Sequence, residues 1–111
     1  MPEAQIAGFR ARLAAMLTDL QAQSAHSAED RRAVALDQQS VGRLSRMDAM
    51  QRQTMAKATH ARRTASESRI RAALARIDAG AFGYCTECGE KTAAKRLDLD
   101  PTVPTCIACA R

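Results

Sequence analysis

Aromatic side chains are nearly absent from this 111-residue chain: Phe9, Phe82 and Tyr84 stand alone, and there is no tryptophan. Strands draw on aromatic and β-branched residues, so a sheet sandwich is disfavoured. The 46% hydrophobic content comes instead from Ala, Leu, Ile, Val and Met, the material of helix seams. No stretch approaches the roughly 18 consecutive apolar residues of a membrane span, and Met1 to Gly8 has neither a basic start nor an apolar run. No membrane segment or secretory signal is therefore expected, and the chain is read as cytoplasmic. Glycine is scarce as well, with Gly42 the only one between Gly8 and Gly80, so little obliges a long helix to stop there. The two histidines, His26 and His60, have no Ser, Cys or acid at a spacing that suggests a reaction centre, and no enzyme is expected. A mass of 12.0 kDa allows one compact domain or a small module with an extended element, and not two independent cores.

What is present is helical periodicity. Ile6, Phe9, Leu13, Met16, Leu17 and Leu20 recur at steps of three and four, with Arg10, Arg12, Asp19 and Gln21 between them, which predicts an amphipathic helix from Glu3 to about Gln23. Ser24 to Asp30 is small and polar, and Ser27 followed by Asp30 has the form of a helix restart, although nothing from Arg31 to Ser40 would break a helix. Ser45 followed by Asp48 is a second capping signal, opening a helix from near Arg43 to Ala79 that Gly80 closes. About 37 residues at 1.5 Å each make roughly 55 Å, a length that needs a partner helix. The seam is read as Leu44, Met47 and Met55, then Ala56, Ala58, Ala61 and Ala65, then Ile70, Leu74 and Ile77 in a different heptad phase. Met47, Met50 and Met55 are read as adaptable core packing. The expected fold class is mostly α: an antiparallel coiled-coil helical hairpin over 1–79, its turn within 24–48, with a small C-terminal four-cysteine module over 80–111.

The four cysteines all fall in the last quarter, as Cys85-Thr-Glu-Cys88-Gly89 and, 17 residues on, Cys106-Ile-Ala-Cys109. Two disulfides or one metal site are the choices, and a reducing compartment favours metal. A two-residue gap lets both sulfurs of a knuckle reach one tetrahedral ion, so Cys85, Cys88, Cys106 and Cys109 are the expected ligands of one structural Zn2+. Gly89 suits the sharp bend after the first knuckle. A closed four-thiolate shell has no open position and acts as a folding staple. Four thiolates and one dication add a charge of −2, taking the formal +5 to about +3. Phe82 and Tyr84 are expected to cover a minimal core, and the alternation of Leu97, Leu99 and Val103 predicts short strands.

The stretch Arg76-Ile-Asp-Ala-Gly-Ala-Phe-Gly-Tyr-Cys85-Thr-Glu-Cys88-Gly-Glu, with Ala94-Lys-Arg-Leu97 and Pro101-Thr-Val-Pro-Thr-Cys106-Ile-Ala-Cys109, closely resembles the four-cysteine finger of the DksA/TraR family. Leu36 to Met50 is similar to the hairpin of its short bacterial members. The resemblance implies a coiled-coil hairpin rooted on a zinc finger, which enters the secondary channel of bacterial RNA polymerase and alters open-complex stability. The family's Asp-x-x-Asp-x-Ala tip pattern is absent here. Asp37 is the first candidate for a tip carboxylate because it precedes Gly42, Asp48 is the second and Asp30 the third; each could equally be a cap or a solvated acid.

Nine basic residues lie between Ser40 and Arg76 against Asp48 and Glu67, and a basic face is assigned to Arg43, Arg46, Arg52, Arg62 and Arg63. The bland reading is a solvated helix face. A zinc-finger nucleic-acid-binding protein is one alternative function. Direct DNA binding is disfavoured because the finger lacks His ligands and a groove-reading helix, and no aromatics interleave with the basic residues. A homodimeric coiled-coil scaffold is the other alternative, and the oligomeric state is left open.

Overall fold

The computed structural model describes residues 1–37 and 43–110, with side chains described for 1–28 and 46–110. Three helices are present: α1 (Glu3–Asp37), α2 (Arg43–Asp78) and the short α3 (Ala94–Leu99). α1 and α2 have 35 and 36 residues, each somewhat over 50 Å long at about 1.5 Å per residue. The expected interruption at Ser24 to Asp30 does not occur, since α1 runs through it. Ser27 does not serve as a cap: its hydroxyl accepts a hydrogen bond from Arg63 Nη1 at 2.6 Å. Residues 38–42, including Gly42, lie outside the described residues, as do the side chains of Asp30, Asp37, Arg43 and Leu44.

The chain divides into two compact units, Thr18–Ser66 and Met1–Leu17 with Glu67–Arg111. In the first, α2 turns Ala49, Gln53, Ala56, His60 and Arg63 inward at steps of four and three, and α1 contributes Leu20, Ser24, Ser27 and Ala28. Ala49 is buried and the others are half-buried, so this seam is small and polar. It corrects the expected one. Met47, Met50 and Met55 are 59%, 62% and 70% exposed, and Ala58, Ala61 and Ala65 also face solvent. The reason is phase. Counting back from Ile77, Leu74 and Ile70 in unbroken steps of three and four gives Glu67, Arg63, His60, Ala56, Gln53 and Ala49, with no phase shift. Where those positions carry Gln, His and Arg, the larger methionines fall outside the seam. His60 Nδ1 is buried there without a hydrogen-bond partner.

The second unit holds the larger side chains. Leu13, Ile70, Ala73, Ile77, Phe82 and Leu97 are all buried, and the Phe9 and Phe82 rings lie 5.3 Å apart at 50°. α1 and α2 run antiparallel here, with Arg10 Nη1 2.8 Å from Asp78 Oδ1. α2 ends in a Schellman arrangement: Gly80 takes φ +72°, its N–H donates to Ile77 O at 3.1 Å, and Ala81 N–H donates to Arg76 O at 2.8 Å. The expected strands are corrected as well. Ala94–Leu99 is helix, and the only pairing outside helices among the described residues is a single antiparallel bridge between Tyr84 and Lys91. Ala, Lys, Arg and Leu are good helix formers, and one helical turn suffices to bury Leu97 while leaving Leu99 86% exposed. Phe82 is buried as expected, but Tyr84 is 41% exposed.

Candidate metal centre

The first knuckle begins where Phe82 anchors the chain to the core. The Tyr84–Lys91 bridge follows, flanked by Thr92 N–H donating to Gly83 O at 2.8 Å and Cys85 N–H donating to Glu90 O at 2.8 Å. Gly89 adopts φ +76° and returns its N–H to Cys85 O at 3.0 Å, the sharp bend foreseen after the second cysteine. Glu87 N–H points at Cys85 Sγ at 3.4 Å. In the second knuckle, the N–H groups of Cys109 and Ala110 donate to Cys106 O at 3.1 and 3.0 Å.

Two contacts bring the knuckles together. Thr86 N–H donates to Pro104 O at 2.9 Å, and Arg96 Nε donates to Thr105 O at 3.0 Å, so α3 holds the approach to Cys106. Asp100 organises the loop before it. Its Oδ1 accepts from Thr102 N–H at 3.0 Å and Thr102 Oγ1 at 2.6 Å, and its Oδ2 pairs with Arg69 Nη2 of α2 at 3.1 Å. These bonds outweigh the opposing effect of burial and hold the Asp100 carboxyl below its usual range. None of these supports follows from sequence spacing, although Pro101 and Pro104 marked the loop.

The result is a cluster in which all four Sγ atoms lie within 4.8 Å of one another, with Cys88 and Cys106 3.7 Å apart. That separation far exceeds a disulfide, and all four are free thiols. It fits a shared ion: sulfurs at about 2.3 Å from one tetrahedral centre are about 3.8 Å from each other. The protonation states agree. Amides of Cys88 and Cys106, ahead of all other influences, draw the Cys85 thiol down to about 6. The Glu90 amide favours the Cys88 thiolate, but Cys85, burial and Cys106 together outweigh it and raise that thiol. Cys109 is pushed up to about 12 by the neighbouring Cys106, Cys88 and Cys85. The peptide thus provides for a thiolate at Cys85, and further ionisation calls for a cation among the sulfurs. Among the described residues this is the one cluster able to hold a metal.

The other sequence-derived candidates scatter. Arg46, Asp48, Arg52 and Arg62 are exposed on α2, whereas Arg63 leaves the basic face for the seam and Ser27. Asp37 is the last residue of α1, and Arg43 the first of α2. No helix among the described residues is long and apolar enough to cross a membrane.

Fold and cluster together define a mostly α protein, an antiparallel helical hairpin carrying a C4-type zinc finger. Residues 80–111 match the family model of the prokaryotic dksA/traR C4-type zinc finger, so the finger is of that type, and its four clustered cysteines suit a structural zinc. The RNA polymerase-binding transcription factor DksA of Haemophilus influenzae (strain ATCC 51907 / DSM 11121 / KW20 / Rd) is 44% identical over 41 residues, which cover 37% of this chain and 28% of that protein. The match therefore spans little more than a quarter of the curated relative. Among solved structures, transcription factor DksA2 from Pseudomonas aeruginosa superposes with a TM-score of 0.86 at 27% identity, over 97% of this chain and 81% of that one.

Proposed function

We propose that this chain is a DksA-like transcription regulator that binds bacterial RNA polymerase through its secondary channel. The observation that carries the reading is the similarity in fold to DksA2 over 97% of the chain, two helices and finger together. The name of the Haemophilus influenzae relative supplies the partner, RNA polymerase. In this reading 1–79 form the hairpin and 80–111 the finger. Cys85, Cys88, Cys106 and Cys109 are the ligands of one zinc that holds the finger together, and Asp37 and Asp48 are the carboxylates offered at the tip. In this reading the protein works in the cytoplasm as a regulator and not as an enzyme, and the zinc is structural, since a shell closed by four cysteines has no position for substrate.

The test is competition. The zinc-loaded chain is expected to co-purify with core polymerase and to displace a ligand already known to occupy the secondary channel. Binding to bare duplex DNA at physiological salt, without displacement of that ligand, would overturn the reading in favour of a nucleic-acid-binding finger.

A further inference from the structure

We propose that the groove between the start of α1 and α3 binds a free α-amino acid with a large apolar side chain. Gln5, Gly8, Phe9 and Arg12 lie at steps of three and four on one face of α1, and Ala94, Leu97 and Asp98 do the same on α3. With Met1, these two faces line a cavity of about 270 Å³. Its floor is apolar: Leu97 is buried, and the Phe9 ring stands 5.3 Å from that of Phe82. All of these residues belong to the one compact unit of Met1–Leu17 and Glu67–Arg111.

Gly8 points to an occupant. Glycine inside a helix is unfavourable relative to alanine, so its place there needs a cause. The backbone supplies none, because the glycines at positive φ are Gly80, Gly83 and Gly89. Packing supplies none either: outside its own helix, no atom lies within 4 Å of where a Cβ would stand on Gly8. What a side chain at this position would fill is the cavity. The glycine keeps that space open for a group that comes close to the α1 backbone.

Polar groups at the rim select the class. Arg12 Nη1 donates to Asp98 O at 2.7 Å, which leaves the other N–H groups of the guanidinium for a carboxylate. That bond uses the backbone oxygen of Asp98 and not its carboxylate, which is left for an ammonium. A cation and an anion side by side at the edge of an apolar cavity match the two charges of an amino acid with its side chain lodged beyond them. A phosphate would meet Asp98 as well as Arg12, and a fatty acid would leave Asp98 unanswered. Size agrees, since ligand pockets run from roughly 300 to 1,000 Å³ and this one falls at the small end. Met1, 42% exposed, separates the cavity from a second of about 270 Å³ beside Tyr84, and its methyl would stand only 3.0 Å from a Cβ on Gly83. Its flexible thioether is the wall that shifts as a ligand enters. The assignment goes beyond the polymerase reading and does not depend on it.

The test uses the full zinc-loaded chain with its methionine methyl groups labelled for NMR, titrated with L-leucine, L-phenylalanine, N-acetyl-L-phenylalanine, L-phenylalaninamide and L-alanine. Leucine or phenylalanine is expected to shift the Met1 signal saturably at millimolar concentration and to leave Met50 and Met55 in place. The other three are expected to bind at least tenfold more weakly, since they lack in turn the free ammonium, the carboxylate and the large side chain. Gly8→Leu is expected to abolish the shift without lowering Tm, because nothing in the fold opposes a side chain there. Asp98→Asn keeps the backbone oxygen that Arg12 uses, and is expected to weaken the amino acid at least tenfold and bring it level with its N-acetyl derivative. Melting curves show that each variant is folded. No saturable Met1 shift with either leucine or phenylalanine, or full binding retained in Gly8→Leu, would overturn the proposal. So would an N-acetyl derivative that binds as tightly as the amino acid, which makes the groove a site for carboxylates, or an equally tight amide, which makes it a site for peptide N-termini.

Discussion

At the residue scale the finger is a problem in proton accounting. Cys85 is drawn down to about 6, Cys88 is raised and Cys109 stands at about 12, so at neutral pH the last two must surrender protons before their sulfurs can serve a metal. Protons therefore compete with zinc. Affinity is expected to fall as pH drops from 8 to 6, and more steeply below about 6, where Cys85 also protonates. The folding contribution of Cys85 has the same sign. Its pKa is lowered on folding, so that stabilisation is complete above the ordinary thiol range and is lost as pH falls through about 6. Chelator competition at a series of pH values checks the slope, and an affinity indifferent to pH would contradict these assignments. Metal analysis should return one zinc per chain, with the finger unfolding on chelation while most helical signal persists. The four cysteines were legible in the sequence because a metal site is a matter of spacing. Asp100 and Arg96 were not, because the Asp100–Arg69 pair and the Arg96–Thr105 bond depend on where α2 and the loop before Cys106 meet, which no local pattern encodes.

At the element scale, unequal burial decides which changes matter. Leu13 has no exposed surface and packs in the unit that contains Ile70, Ala73 and Ile77, whereas Ala61 faces solvent. Leu13→Ala is expected to cost about 2 to 4 kcal/mol, the transfer term plus the cavity it leaves. Ala61→Ser should stay within about 0.5 kcal/mol. Urea melts of the zinc-loaded protein compare them, and similar losses would mean that the phase assigned to α2 is wrong. Helix identity was legible from the steps of three and four in Ile6 to Leu20 and from Gly80. Seam phase was legible only at the ends. Between Ala49 and Arg63 the inward positions carry Gln, His and Arg while methionines lie outside, so reading the largest apolar residues as core inverted the helix. The strand reading of Leu97 to Val103 failed for a related reason: three alternating apolar residues are too few to separate a strand from one turn of helix.

At the scale of the whole molecule, the formal charge of +5 is carried chiefly by α2, and the DksA-like reading gives it a task distinct from that of the carboxylates. Exposed cations on a helix govern encounter and affinity, while an acid near the end of α1 or the start of α2 would act on what the polymerase does once bound. Binding and effect should therefore separate. Asp37→Asn removes a carboxylate with almost no change in size, and it is expected to leave polymerase affinity within about twofold while shortening or abolishing the change in open-complex lifetime. Replacing Arg52 and Arg62 by Ala should instead weaken binding, and the difference from the parent chain should shrink as salt rises, since exposed charges are screened beyond about 8 Å at physiological ionic strength. Arg63 is the wrong residue for this purpose. Its guanidinium donates to Ser27 across the seam, so Arg63→Ala would loosen the hairpin and confound affinity with stability. Filter-binding and promoter-lifetime assays on the same variants give the two readouts. If Asp37→Asn keeps its full effect on lifetime, the tip role passes to Asp48, which is exposed in the second turn of α2 and is tested by the same substitution. If neither carboxylate matters while the arginine pair still sets affinity, the chain occupies the polymerase without acting through a tip acid, and its effect must come from blocking the channel alone.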